Sequence, residues 1–92
     1  MTPARRPVYL GLRAERALKR RRGSVRDRLL AALDDLEAGG PAAPALNRLP
    51  DRPPWHRLSL AGYHVLIRPY ADGFLVADVV SDRELHRAVE TL

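Results

Sequence analysis

Trp55-His56-Arg57-Leu58-Ser59-Leu60-Ala61-Gly62-Tyr63-His64-Val65-Leu66-Ile67-Arg68 is the stretch that decides the fold. Two runs of β-favouring residues flank Ala61-Gly62, and a two-residue gap carrying Gly is a tight-hairpin signal. A second hairpin is expected to turn at Ala71-Asp72-Gly73, beyond which Phe74-Leu75-Val76-Ala77-Asp78-Val79-Val80 forms a third run. That run is mostly apolar and is therefore expected at the centre of the sheet, because strands covered on both sides lose their alternation. Side chains alternate faces with period two, which puts Leu58 and Leu60 on one face and Arg57 and Ser59 on the other. Likewise Val65 and Ile67 oppose His64 and Arg68. With the Leu and Val/Ile face packed on helices, Arg57, Ser59, His64 and Arg68 are expected to project from the opposite face as a cationic, imidazole-bearing surface.

The chain of 92 residues is long enough for one modest core, so a single domain spanning 1–92 is expected and a Rossmann-sized cofactor domain is excluded. There is no cysteine, which removes disulfides and thiolate metal sites. No apolar run reaches the roughly 18 residues of a membrane span and no signal-peptide hydrophobic region opens the chain, so a cytoplasmic protein without membrane partners is expected. The net charge of +5 is concentrated at one end: residues 1–28 carry ten Lys/Arg against Glu15 and Asp27. Arg forks suit phosphates, so a polyanion-binding surface is expected.

In chain order, Met1 to Arg6 is expected to be a loose arm and Pro7-Val8-Tyr9-Leu10 a short strand. Leu12 to Arg22 reads as a short basic helix with Ala14, Ala17 and Leu18 at helical spacing. Gly23 breaks it, and Ser24-Val25-Arg26-Asp27 has the form of a capping box opening a second helix. Val25, Leu29, Ala32, Leu33 and Leu36 then make an amphipathic stripe, ended by Ala38-Gly39-Gly40-Pro41. Residues 39–54 hold two Gly and five Pro with little periodicity, which makes them a linker. After Val80, Ser81-Asp82-Arg83-Glu84 is a second capping box, with Leu85, Val89 and Leu92 as the apolar stripe of a final helix.

Strand, two helices, Pro-rich linker, three-strand meander and short C-terminal helix together resemble the layout of the RelE/ParE toxin superfamily of bacterial toxin–antitoxin systems. Arg16-Ala17-Leu18-Lys19 followed by Gly23-Ser24-Val25-Arg26 resembles the family's first helix and the start of its second. The hairpin Trp55 to Arg68 resembles the family's basic-apolar-basic strand followed by Gly-Tyr-Arg and an apolar run, and Val80-Ser81-Asp82-Arg83 resembles its Val-Gly-x-Arg close. In the RelE branch the resemblance implies an endoribonuclease that cuts messenger RNA in the ribosomal A site without metal or cofactor. It also implies a cognate antitoxin that holds the enzyme inactive, with operator DNA reached through that antitoxin. Arg57 stands where the family has its first strand-borne Lys or Arg, Ser59 where it often has a second, and His64 where it has Arg. Arg83 aligns with the Arg at the end of the last strand, and His86 lies near the family's C-terminal Tyr or His.

RNA cleavage of this kind needs a base for the 2′-hydroxyl proton, cations for the phosphorane, and an acid for the leaving oxygen. His64 and His86 are the candidate acid–base pair, since an unperturbed imidazole titrates near ~6.5. Arg57, Arg68 and Arg83 would clamp phosphate, and Ser59 lies among them. Each has a plainer alternative. Arg57, Arg68 and His64 would equally form a solvated face, and His86 would pair with Asp82 or Glu90 on its own helix. Trp55 stacks on a base or packs the start of a strand, and Arg20, Arg21 and Arg22 contact ribosomal RNA or solvate a helix end. His56 points with Leu58 and reads as structural. The histidines show no metal-ligand spacing, and there is no Gly-rich phosphate loop and no local Ser-His-Asp signature. The expected fold is α+β, an antiparallel sheet of about four strands with a helical hairpin on one face and a short C-terminal helix. The expected function is a ribosome-dependent messenger-RNA endonuclease toxin. The alternatives are a gyrase-inhibiting ParE-like toxin and a non-catalytic module binding nucleic acid or antitoxin.

Overall fold

The computed structural model describes residues 5–92. In chain order it comprises β1 (Val8–Leu10), α1 (Leu12–Arg20), α2 (Gly23–Ala38), β2 (Asn47–Arg48), β3 (His56–Leu60), β4 (Tyr63–Tyr70), β5 (Gly73–Ser81) and α3 (Asp82–Glu90). The strands form one sheet in the order β1-β5-β4-β3-β2. The apolar run is an interior strand, between β1 and β4, while the middle of the sheet is β4. Two features correct the expected four-stranded antiparallel sheet. β1 pairs with β5 in parallel, Val8 opposite Phe74, because α1 and α2 return the chain across the sheet before the meander begins. β2 is a two-residue strand inside the Pro-rich linker, Asn47 opposite Arg57, and a strand that short carries no periodicity to read.

The turn residues fit their conformations. Ala61 and Gly62 have φ of 54° and 80°, the paired positive values of the two-residue hairpin whose twist matches the strands. Gly73 is required for a different reason. A Cβ there would fall 1.9 Å from the Pro7 carbonyl oxygen, where Phe74 donates its N–H to that same oxygen at 2.9 Å.

The hairpin of α1 and α2 covers the face bearing Leu58, Val65, Ile67, Val76 and Val79, and Ala14, Ala17, Leu18, Leu29, Leu33 and Leu36 are buried against it. Val76 and Val79 are three apart and would point to opposite faces of a regular strand. A bulge resolves this: Leu66 pairs with Asp78 but Ile67 pairs with Val76, so Ala77 is the extra residue on β5. Val25 and Leu60 pack at the edge of the core.

Two expectations about the helix ends are corrected. α1 stops at Arg20, and Arg21 is extended with its N–H on the Leu18 carbonyl. α2 begins at Gly23 with Arg22 as its N-cap and no side-chain cap, so Ser24 lies inside the first turn and the capping box expected there does not form. The second box does form: Ser81 and Glu84 cap α3 reciprocally. Of the arm expected at Met1 to Arg6, residues 1–4 lie outside the described residues. Arg5 and Arg6 are held rather than loose. The Arg6 N–H donates to the Glu37 carbonyl at 3.0 Å, its guanidinium lies 4.2 Å from the Phe74 ring centroid, and Arg5 pairs with Glu37 at 3.1 Å. Glu37 also accepts the Val8 N–H at 3.2 Å, so α2 closes the free edge of β1.

The opposite face of the sheet is not open. α3 packs on β5 and β4, and Leu66 and Val80 are buried outside the hairpin core.

Candidate functional site

Ser59 and His64 face each other across the β3–β4 pair, two residues from the hairpin turn on either side. Their side chains meet, Oγ of Ser59 lying 2.9 Å from Nδ1 of His64. The other ring nitrogen, Nε2, hydrogen-bonds Oδ1 of Asp82, the first residue of α3. Asp82 is placed by two constraints: its N–H donates to the Gly62 carbonyl at 3.2 Å, and the Ser81–Glu84 box fixes the start of its helix. An ionised Asp82 accepts Nε2–H, which leaves Nδ1 as the lone-pair nitrogen that accepts the Ser59 O–H. The three groups thus form a hydrogen-bonded chain of hydroxyl, imidazole and carboxylate, the constellation that activates hydroxyls in unrelated folds. His64 is only 8% exposed, whereas Ser59 and Asp82 are exposed. Its access to solvent therefore runs through its two partners.

The sequence does not mark Asp82 as a site residue. In the sequence it is visible only as a residue inside the Ser81–Glu84 capping box and a neighbour of His86; its contact with His64 spans 18 residues and leaves no local spacing to detect.

The other expected residues divide. Arg57 lies two residues along β3 from Ser59 on the same face, and its Nε–H is buried without a partner among the described residues. Arg68 and Trp55 are at the far end of the strands, the guanidinium 5.7 Å from the Trp55 ring centroid. Four residues of strand, about 13 Å, separate Arg68 from His64. Arg83 follows Asp82 in the first turn of α3, past the end of β5 at Ser81, and opens onto a cleft with Arg13 and Arg87. His86 is not brought to His64. Its side chain is 89% exposed and its Nε2 lies 2.8 Å from Glu90, the helix pairing given as its alternative.

The run Arg20-Arg21-Arg22 is not one docking patch. Arg20 and Arg22 are exposed, but the Arg21 guanidinium sits 4.4 Å from the Tyr63 ring centroid and 3.8 Å from Glu84. It ties α1 to the meander and to α3. His56 is structural as read, its Nδ1 2.9 Å from the Pro54 carbonyl oxygen. Glu84 is held below the usual glutamate range, first by the Ser81 backbone N–H, then by the Ser81 hydroxyl, with Arg21 and Arg20 adding charge. No three His, Cys, Asp or Glu side chains gather into a metal-binding group among the described residues.

No protein-family model matches the chain, and no curated protein matches it. Solved structures do. A chain of a RelB–RelE antitoxin–toxin complex from Methanococcus jannaschii is similar over 87% of this chain and 96% of its own, with TM-score 0.72 and 13% identity. A double arginine-to-alanine mutant of the E. coli toxin RelE in the free state is similar over 95% and 92%, with TM-score 0.71 and 17% identity. The chain has the RelE fold. At these identities the likeness lies in backbone architecture, and the RelE fold here carries its own side chains. Ser59 and His64 occupy hairpin positions where the sequence resemblance leads one to expect basic residues, and they are tied to each other and to Asp82. Arg83 is carried by α3 rather than by the last strand of the RelE sheet.

Proposed function

We propose that this chain is the toxin of a type II toxin–antitoxin system and an endoribonuclease that cuts messenger RNA on the ribosome. The observation that carries the reading is the Ser59–His64–Asp82 chain, an exposed hydroxyl backed by imidazole and carboxylate, on a RelE fold. In the proposed reaction a substrate 2′-hydroxyl hydrogen-bonds Ser59 Oγ. It passes its proton to Ser59 as the Ser59 proton moves to Nδ1 of His64. The freed 2′-oxygen attacks phosphorus and the 5′-oxygen leaves, taking back the proton from His64 Nδ1 through the Ser59 hydroxyl, so that the products are a 2′,3′-cyclic phosphate and a 5′-hydroxyl and the imidazole is again neutral. Asp82 stabilises the imidazolium, and Arg57 and Arg83 supply N–H donors to the phosphorane oxygens, the electrostatic contribution that matters most in such steps. No metal or cofactor enters this scheme.

The partner is a cognate antitoxin, supported by the archaeal RelE neighbour being found with RelB. Operator DNA would be reached through that antitoxin, and ribosome and messenger RNA are the targets, in the cytoplasm. No helix among the described residues is long and apolar enough to cross a membrane. The test is toeprinting of programmed ribosomes with purified protein. Discrete cleavage within the A-site codon is the expected result. Intact message at saturating protein would sink the nuclease reading, and inhibition of gyrase supercoiling by the same preparation would put the ParE-like reading in its place.

A further inference from the structure

A cleft of about 500 Å³ opens between the start of α1, the outer half of β5 and α3, and Arg13, Arg83 and Arg87 all line it. The fold explains why they converge. β1 ends at Leu10, opposite Val76, and the Gly11 N–H bonds the Val76 carbonyl at 2.8 Å. The chain then turns into α1 and brings Arg13 to the unpaired edge of β5. Arg83 and Arg87 are four apart on α3 and share one face of it.

Two carboxylates, Asp78 and Glu84, also line the cleft, but their hydrogen bonds go elsewhere. Asp78 accepts the Val79 N–H at 2.8 Å, and Glu84 accepts the Ser81 N–H at 3.1 Å and the Ser81 hydroxyl at 2.8 Å. None of the three arginines has an ion-pair partner among the described residues. Arg13 and Arg83 moreover sit in the first turns of α1 and α3, where the helix dipole opposes a cation, so neither stabilises its own helix. An anion bound there is attracted both by the guanidinium and by the helix N-terminus.

We propose that Arg13, Arg83 and Arg87 form a binding cleft for the phosphates of single-stranded RNA adjoining the bond to be cut. The cleft volume falls within the range of small-molecule sites, about 300–1,000 Å³, and exceeds what one inorganic phosphate needs. Arg83, which lines the cleft, directly follows Asp82 at the start of α3, so the cleft begins one residue along the helix from the Ser59–His64–Asp82 chain. The inference rests on the nuclease reading for RNA as the ligand. Arg13 and Arg87 act here as binding residues, separate from the chemical step.

The test uses fluorescence anisotropy with a labelled single-stranded RNA whose 2′-hydroxyls are all methylated, so that it binds without being cut. Arg13→Gln/Arg87→Gln is compared with Arg26→Gln/Arg28→Gln, which removes the same charge from α2 on the other side of the sheet. The first is expected to lose about tenfold or more in affinity and to flatten the log–log salt slope by about 1.4, since each single-strand phosphate contact contributes about 0.7. The second is expected to change affinity less than about twofold. Equal losses in both, no loss in the first, or no binding by the parent overturns the cleft. So does complete displacement of the RNA by inorganic phosphate at matched ionic strength, which would make the site one for a small anion. Thermal melts check folding, and Arg87→Gln alone serves if the double variant unfolds. A parent that binds the RNA through these arginines but leaves ribosome-bound message intact removes the nuclease reading and keeps the cleft. A parent that cleaves yet binds RNA undiminished after Arg13→Gln/Arg87→Gln removes the cleft alone.

Discussion

The Ser59 hydroxyl and the His64 imidazole are cross-strand partners whose side chains meet at 2.9 Å, on a sheet face that α3 partly covers. Asp82 closes the chain from the helix. With Nε2 held by the Asp82 carboxylate, Nδ1 of His64 presents its lone pair to the Ser59 hydroxyl. His64→Gln is therefore expected to slow cleavage of ribosome-bound message by roughly 10²–10⁴-fold, the usual worth of a general base. Ser59→Ala and Asp82→Asn should act in the same direction, and single-turnover rates at saturating ribosome separate this from weakened docking. Unchanged rates in all three would remove the hydroxyl–imidazole chain from the mechanism.

His86 provides the contrast. Its ring is solvated and paired with Glu90 along the helix, an arrangement worth only about 0.3–0.5 kcal/mol. His86→Gln should leave the melting temperature nearly unchanged and the single-turnover rate within about threefold of the parent. A loss comparable to that of His64→Gln would support the two-imidazole mechanism suggested by the sequence.

Leu33 is buried between α2 and the sheet. Leu33→Ala should cost roughly 2–5 kcal/mol in urea unfolding, from lost transfer energy plus the cavity left behind. The half-buried Val25 should cost less on the same change, because part of its surface is already wet.

Gly73 tests how β1 is attached. An added Cβ overlaps the Pro7 carbonyl, which is backbone and has no rotamer to yield. Gly73→Ala should displace β1 and destabilise by at least the 1–3 kcal/mol, roughly, of an overpacked core. Hydrogen exchange localises the effect: amides of Val8 to Leu10 should lose protection first. A variant as stable as the parent would contradict the close approach.

The helix cap predicts a pH dependence. Glu84 is held below the usual glutamate range by the Ser81 N–H and hydroxyl. A carboxyl whose folded pKa is depressed contributes stability above its unfolded value, near ~4.3, and loses it as pH falls through the folded value. The stability gap between the parent and Glu84→Gln should thus be present at neutral pH and close in acid. Ser81→Ala should cost about 0.5–2 kcal/mol at neutral pH by removing the other half of the box. A gap that stays constant through the acid range would show that the cap is not charge-assisted.

Much of this architecture was present in the sequence because its determinants are local. Alternation alone separates Leu58, Val65 and Ile67 from Ser59 and His64, the 3.6-residue period finds Leu29, Leu33 and Leu36, and Ala61-Gly62 and Ser81-Glu84 are set by turn and cap chemistry within a few residues. Tertiary structure decided what joins distant parts of the chain. The parallel pairing of Val8 with Phe74, the strand at Asn47–Arg48 and the bulge that puts Val76 and Val79 on one face all depend on where other strands lie. The same holds for Arg21, which reads as part of a basic run and instead packs on Tyr63. It holds most of all for Asp82: a first-turn helix residue by its local sequence, it becomes the partner of His64 only because the hairpin turn and the start of α3 converge in space. Hydrogen bonds form between groups that the fold brings together, and no spacing along the chain records that meeting.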